Sequence, residues 1–257
     1  MTAVAIVNVV GLTPRLLQHA PVIRSLAGDP SSDQLSQVAG DGFTAWTSPL
    51  PAVTCTSQAT MLTGKTPREH GIVGNGWYYR DTQEIRFWQQ ASSLVQAPVF
   101  YDEFETAKMF WWFNQSSTAR YSCTPKPHYG CDGSKVFDVL DHTGCDLVKR
   151  HGPFPFFSFW GPNAGLPCSE WIADATAAIL KDPDLAPDLC FTYLPTLDYD
   201  LQRSNPDTGA ACSGARSALE GQLGTLIGAA KREGYEVLIF GDYRIVPVHG
   251  AVMPNLA

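Results

Sequence analysis

The chain has 257 residues, of which 44% are apolar and 17% charged, and carries a formal net charge of −7. That length buries a sizeable core for one α/β domain with or without an insertion, and the apolar content excludes a disordered chain. No apolar run reaches the ~18 residues that a membrane-spanning helix requires, and the acidic balance argues against a nucleic-acid polymer as partner, because binding to a phosphate backbone draws on clustered Lys and Arg.

In chain order, residues 3–10 form a β-branched run (Val4, Ile6, Val7, Val9, Val10) ended by Gly11, the pattern of a strand buried on both faces of a parallel sheet. The opening MTAVAIVNVVG has neither a basic stretch nor a small-residue cleavage site. It therefore reads as a core strand rather than a signal peptide, and the expected location is cytoplasmic. Thr13 and Pro14 then open a helix that Pro21 breaks or kinks.

The next block, PAVTCTSQATMLTGKTPREHGIVGN from Pro51 to Asn75, is the most informative. Pro51 and Val53 favour an extended approach. Thr54, Thr56 and Ser57 offer capping hydroxyls before a helical run from Gln58 to Leu62, and Gly64 stops it. A hydroxyl at the mouth of a helix sits where free N–H groups and the helix dipole attract an anion such as phosphate. On residue types alone, a capped surface helix and a nucleophile's position both remain open.

Periodicity fades after Asn75 and returns with a helix capped by Ser169, which carries Trp171, Ile172, Ala175, Ile179 and Leu180 at helical spacing. The expected organisation is a core of residues 1–75 and 167–257 around an insertion at 76–166. Most of the aromatic residues fall in that insertion, from Trp77 to Trp160, either as an aromatic minicore or as a cap overhanging the site. A strand from Leu189 to Leu194, a helix from Ser213 to Lys231 closed by Gly234, and a strand from Glu236 to Phe240 follow. The alternation predicts a doubly wound, mostly parallel α/β sheet with helices on both faces and a ligand site at the carboxyl ends of its strands. The seven cysteines (Cys55, Cys123, Cys131, Cys145, Cys168, Cys190, Cys212) include no CxxC pair and fit neither a disulfide framework nor a zinc knuckle. Cys55 alone has a functional reading, as a thiol activated at a helix N-terminus.

The Pro51 to Asn75 block resembles the nucleophile segment of the type I phosphodiesterase/nucleotide pyrophosphatase family of the alkaline phosphatase superfamily. Its pattern runs roughly P-x-x-T, a helix, L-x-T-G, x-x-P, x-x-H-G-I-x-x-N. Pro51, Thr54, Leu62, Thr63, Gly64, Pro67, His70, Gly71, Ile72 and Asn75 fall in step with it. The resemblance implies an alkaline phosphatase-like core, two divalent metal ions (usually zinc), and Thr54 as a covalent nucleophile activated by metal coordination, with His70 ordering the loop. YLPTLDYDLQRSNP, from Tyr193 to Pro206, is similar to the family's metal loop, and LIFGDYRIVPV, from Leu238 to Val248, to its strand-terminal S-D-H-G segment.

By that likeness Asp198 and Asp242 stand at metal-binding aspartates, while Gln202 and Tyr243 replace metal histidines. Asn8 is the nearest counterpart of a first-strand aspartate, and Ser57 of a phosphate-contacting asparagine. The expected metal set is Asn8, Thr54, Asp198, Gln202, Asp242 and Tyr243, with Asp200 and His249 nearby. Such oxygen donors suit Mg²⁺, Mn²⁺ or Ca²⁺ better than Zn²⁺. Ser57, Asn75, Arg203 and Arg244 are the expected substrate contacts.

The implied function is hydrolysis of phosphodiester or nucleotide pyrophosphate bonds in a small phosphorylated substrate. The alternatives are an anion- or nucleotide-binding homologue without turnover and a phosphotransferase or mutase of the same superfamily. Family members continue to further strands and a last metal histidine, so the core is expected to be C-terminally truncated at Ala257.

Overall fold

A computed structural model describes residues 2–17, 21–26, 46–129, 132, 134–141, 146–159, 163–204 and 213–253. In chain order the elements are β1 (Val4–Val9), α1 (Pro14–Leu17), α2 (Pro21–Leu26), α3 (Thr54–Thr63), α4 (Pro67–His70), β2 (Gly76–Tyr79), β3 (Glu84–Phe87), β4 (Thr106–Met109), β5 (Tyr121–Tyr129), β6 (Lys135–Asp141), α5 (Leu147–His151), α6 (Leu166–Lys181), β7 (Leu189–Leu194), α7 (Asp198–Arg203), α8 (Ser213–Arg232) and β8 (Glu236–Gly241). The main sheet has the order β6-β5-β4-β7-β1-β8. All its pairings are parallel except β5 with β6. This is the doubly wound α/β sheet expected from the alternation of elements.

The period-2 alternation of β1 sorts its residues between two cores. Ala5, Val7 and Val9 pack with the buried faces of α6 and α8, whereas Ile6 packs with Cys55, Ala59 and Leu62 of α3 on the other face. Asn8 shares the α3 face, where apolar neighbours would leave its amide without partners. Gln58 answers this for the oxygen, while Asn8 Nδ2 stays without a partner: Gln58 Nε2 donates to Asn8 Oδ1 at 2.9 Å, and its Oε1 accepts from Trp112 N at 2.8 Å. The Trp112 segment is itself held by Lys108 of β4, whose Nζ donates to the carbonyls of Trp112 (3.2 Å) and Phe113 (2.9 Å). Complete burial lowers this ammonium to about 7.

Three expectations are corrected. Helix α3 starts at Thr54, with Val53 as its extended N-cap, so Thr54, Thr56 and Ser57 lie in the first turn instead of capping it. Gly64 does end it in the left-handed conformation, φ 64°. Helix α6 begins at Leu166 with a proline in its first turn, which leaves Ser169 buried inside the helix.

The largest correction concerns the expected insertion at 76–166: β2 and β3 form a separate two-stranded sheet, but β4, β5 and β6 extend the main sheet. Their pattern was hidden because β4 buries Lys108 and because Pro125 and Pro127 interrupt β5. Those prolines are tolerated because β5 meets β4 only at Tyr121–Cys123, leaving the rest of the strand with β6 as its partner. The aromatics of this segment include a true minicore. Tyr101, Trp111, Trp112 and Phe113 are buried with α3, and Trp111 meets Phe191 of β7 edge-on at 5.1 Å. Trp160, Cys131, Cys145 and Cys212 lie outside the described residues.

Replacing Gln58 by Leu would leave Asn8 Oδ1 and Trp112 N–H buried without partners. Gln58→Leu is expected to lose about 2–4 kcal/mol of stability in urea unfolding; a loss below roughly 0.5 kcal/mol would contradict the bridging role.

Candidate functional site

The register of the central strands brings their carboxyl ends level, with Val9 beside Leu194 of β7 and beside Gly241 of β8. Immediately beyond these ends come Asp198 after β7 and Asp242 after β8. On the opposite side of the sheet from α6 and α8, helix α3 delivers its first residue, Thr54, to the same edge. Thr54 is 3% exposed, and its Oγ1 lies 3.2 Å from the Tyr243 hydroxyl. That hydroxyl donates in turn to Asp198 Oδ1 at a longer 3.5 Å. A phenol has one hydrogen; given to Asp198, it leaves Thr54 as the donor of the first bond. The result is a chain from Thr54 through Tyr243 to Asp198.

Asp242 is wholly buried. Its Oδ1 accepts from the backbone N–H of Gly11 (3.0 Å) and of Tyr243 (2.9 Å), tying the turn after β1 to the end of β8. The close approach depends on Gly241, where a Cβ would overlap the Leu12 carbonyl oxygen. Trp46 Nε1 and Ser48 Oγ seal the outside by donating to the carbonyls of Gly241 and Asp242.

Electrostatically, burial dominates. It pushes the Asp242 carboxyl up to about 7, against the pull of its backbone N–H donors and with a smaller push from the charge of Asp198. Burial also raises Asp198, partly offset by its bonds to Gln202 and Tyr243, and holds the Tyr243 phenol above its usual range.

The other expected site residues fall as follows. Asn75 Oδ1 accepts from Cys55 N at 3.0 Å and so caps α3. Ser57 is fully buried, and neither its Oγ nor Thr56 Oγ1 has a hydrogen-bond partner. Asn8 lies on the α3 face of β1, with its Oδ1 engaged by Gln58. Gln202 Nε2 donates to Asp198 Oδ2 at 2.7 Å. Asp200 is partly buried in α7, whereas Arg203 and Arg244 are exposed, as is His249 in the segment after β8. His70 orders its loop, with Nε2 3.0 Å from Thr60 Oγ1 and Nδ1 accepting from Ile72 N. Cys55 is no activated thiol, since burial raises its pKa. Gln58 and the Trp46–Ser48 seal were missed; Gln58, the lone amide of a helix otherwise built from hydroxyl, small and aliphatic residues, was the available signal.

The donor set can be tested against the metal pair that the resemblance implies. Among the described residues no group of three or more His, Cys, Asp or Glu side chains is placed to hold a metal ion. The end of β1 offers Val9, Val10 and Gly11 rather than a carboxylate. Asp198 spends one oxygen on Gln202 and turns the other to Tyr243, while Asp242 spends Oδ1 on two backbone donors. Of the four oxygens of these two carboxylates, only Asp242 Oδ2 is left buried without a partner. One free carboxylate oxygen and two hydroxyls satisfy neither the nitrogen-rich tetrahedral set of zinc nor the six oxygens of magnesium or calcium. These residues do not fit the ion pair.

The Asp242 carboxyl has a pH signature. Its folded-state pKa, about 7, lies above the ordinary aspartate value, so its contribution to stability is full below pH ~4 and is lost as pH rises towards 7. Asp242→Asn removes that loss: its stability relative to the parent should climb by a few kcal/mol between about pH 4 and pH 7.5. Parallel curves in chemical denaturation across that range would refute the buried, protonated carboxyl.

Comparison with known proteins gives the family. No curated protein matches the sequence. A solved structure of phosphonoacetate hydrolase from Sinorhizobium meliloti 1021, in complex with phosphonoformate, is similar with a TM-score of 0.58 at 16% identity, covering 95% of this chain and 56% of that one. An inactive form of murine ectonucleotide pyrophosphatase/phosphodiesterase 5 in complex with AMP gives a TM-score of 0.59 at 13% identity, covering 95% and 57%. The human form of that protein gives 0.56 at 13%, covering 94% and 57%. The chain thus spans little more than half the length of these proteins, and at such identities the likeness establishes the fold. Among the described residues no helix is long and apolar enough to cross a membrane. The type I phosphodiesterase / nucleotide pyrophosphatase family model matches residues 4–255, almost the whole sequence, and the chain belongs to that family.

Proposed function

We propose that this chain hydrolyses phosphoric ester bonds, phosphodiesters or nucleotide pyrophosphates of small molecules, through covalent catalysis by Thr54. The observation that carries the reading is the hydrogen-bonded chain Thr54–Tyr243–Asp198 at the mouth of α3. The partners bound by its structural neighbours, AMP and phosphonoformate, support a small phosphorylated ligand.

In this reading Thr54 Oγ1 attacks phosphorus in line while its proton passes to the Tyr243 oxygen and the phenolic proton passes to Asp198. Burial raises the affinity of Asp198 for that proton. The bond to the leaving alcohol or phosphate breaks on the far side of phosphorus, where the leaving oxygen takes its proton from solvent, and Asp198 keeps the Thr54 proton to return it through Tyr243 when that oxygen is released. Water then cleaves the phosphothreonine and restores the hydroxyl. The N-terminal turn of α3 supplies positive potential for the phosphoryl oxygens, with Ser57, Asn75, Arg203 and Arg244 as the surrounding polar and cationic groups. The second reading, a nucleotide binder without turnover, is favoured by the amide and phenol that stand at Gln202 and Tyr243 in place of imidazoles.

An aryl phosphodiester and an aryl phosphomonoester, assayed in chelator and then with Mg²⁺, Mn²⁺, Ca²⁺ or Zn²⁺, separate the readings. Diester turnover that persists in chelator and falls more than about 10²-fold in Thr54→Ala is expected. Undiminished turnover in Thr54→Ala overturns the assignment, and AMP binding without turnover of either ester by the parent protein establishes the binder.

A further inference from the structure

We propose that Tyr243 takes the place of a cation in this site: its hydroxyl occupies the position between Thr54 and Asp198 from which a metal ion would have to bind both, so the site is closed to the divalent ions implied by the family likeness. The inference concerns the Thr54 site of the preceding proposal, but it is read out by metal content and stands or falls independently of turnover.

The argument is geometric. An ion shared by the Thr54 hydroxyl and the Asp198 carboxylate would sit about 2.0–2.2 Å from each oxygen if zinc or magnesium. The Tyr243 oxygen stands 3.2 Å from Thr54 Oγ1 and 3.5 Å from Asp198 Oδ1, long for hydroxyl hydrogen bonds, and it fills the space between the two. Its backbone is held as well, because Tyr243 N donates to Asp242 Oδ1 at 2.9 Å. Gln202 completes the exclusion. Where an imidazole would offer a lone pair, its amide nitrogen donates to Asp198 Oδ2 at 2.7 Å and so engages the other carboxylate oxygen. A donor from the phenol and a donor from the amide thus satisfy Asp198 as a cation otherwise would. Gly11 N and Tyr243 N do the same for one oxygen of Asp242.

Two substitutions should reopen the site. Tyr243→His together with Gln202→His places two imidazoles beside Asp198 and Asp242, the nitrogen–oxygen mixture that zinc prefers. The test measures zinc, manganese and magnesium in parent protein purified without chelator, by elemental analysis after dialysis, and zinc affinity by competition with a chromophoric chelator. The parent is expected to carry less than about 0.1 equivalent of any of these metals. The double variant is expected to take up about one zinc with at least 100-fold higher affinity, a gain of ~2.7 kcal/mol. Tyr243→Phe, which removes the hydroxyl and adds no ligand, is expected to match the parent. One or more equivalents of retained metal in the parent would overturn the proposal. So would equal zinc affinities in parent and double variant, provided that the variant shows cooperative thermal unfolding; a double variant that does not fold leaves the parent's metal content to decide.

Discussion

The site depends on one clamp, the carboxamide of Gln58. Helix α3 presents Thr54 at the strand ends only because something fixes it against the sheet, and its apolar face is small: Cys55, Ala59 and Leu62. Gln58 adds direction to that packing by gripping β1 through Asn8 and the Trp112 loop at once. Hydrophobic burial tolerates sliding, whereas two hydrogen bonds from one planar amide do not. Lys108 steadies the far side of the clamp by holding the carbonyls of Trp112 and Phe113. The placement of Thr54, the nucleophile of the proposed mechanism, is thus inherited from a buried polar network.

The same economy governs the charges. Two aspartates at the tips of the strands on either side of β1, both raised by burial, would repel each other if both ionised. The donors directed at them are a phenol, an amide and two backbone N–H groups. These are neutral donors: they lower the cost of a buried carboxylate without cancelling its charge, which is why the Asp242 carboxyl remains as high as about 7. A site of this kind favours moving protons between oxygens over polarising a phosphoryl group with a cation.

Much of the sheet was legible because its strands and helices obey simple periods. The β-branched run at β1, the strand Leu189–Leu194, the long helix ending before Gly234 and the strand that follows it all lie where their patterns put them. The carboxylates Asp198 and Asp242 were legible through the family likeness of their segments, and they stand close after strand ends, Asp242 next to the last residue of β8 and Asp198 at the start of α7 beyond β7. The β4–β6 extension was not. Buried Lys108 and the prolines of β5 violate the composition rules of a strand, and only the tertiary setting satisfies them: carbonyl partners for the ammonium, and a region of β5 paired on one side for the prolines. The role of Tyr243 could be read only as a departure from a pattern. That its oxygen bridges Thr54 and Asp198 depends on the spacing between α3 and two strand ends, which no local signal encodes.

The central claim is that Thr54 carries the phosphoryl group without help from a divalent ion. Rapid acid quench of the protein turning over an aryl phosphodiester in excess chelator, followed by peptide mass spectrometry, tests it most directly. The account predicts a phosphoryl-derived adduct on the peptide containing Thr54, located at that residue. Product release in chelator with no adduct at Thr54, or an adduct that forms only when divalent ions are returned, would contradict it.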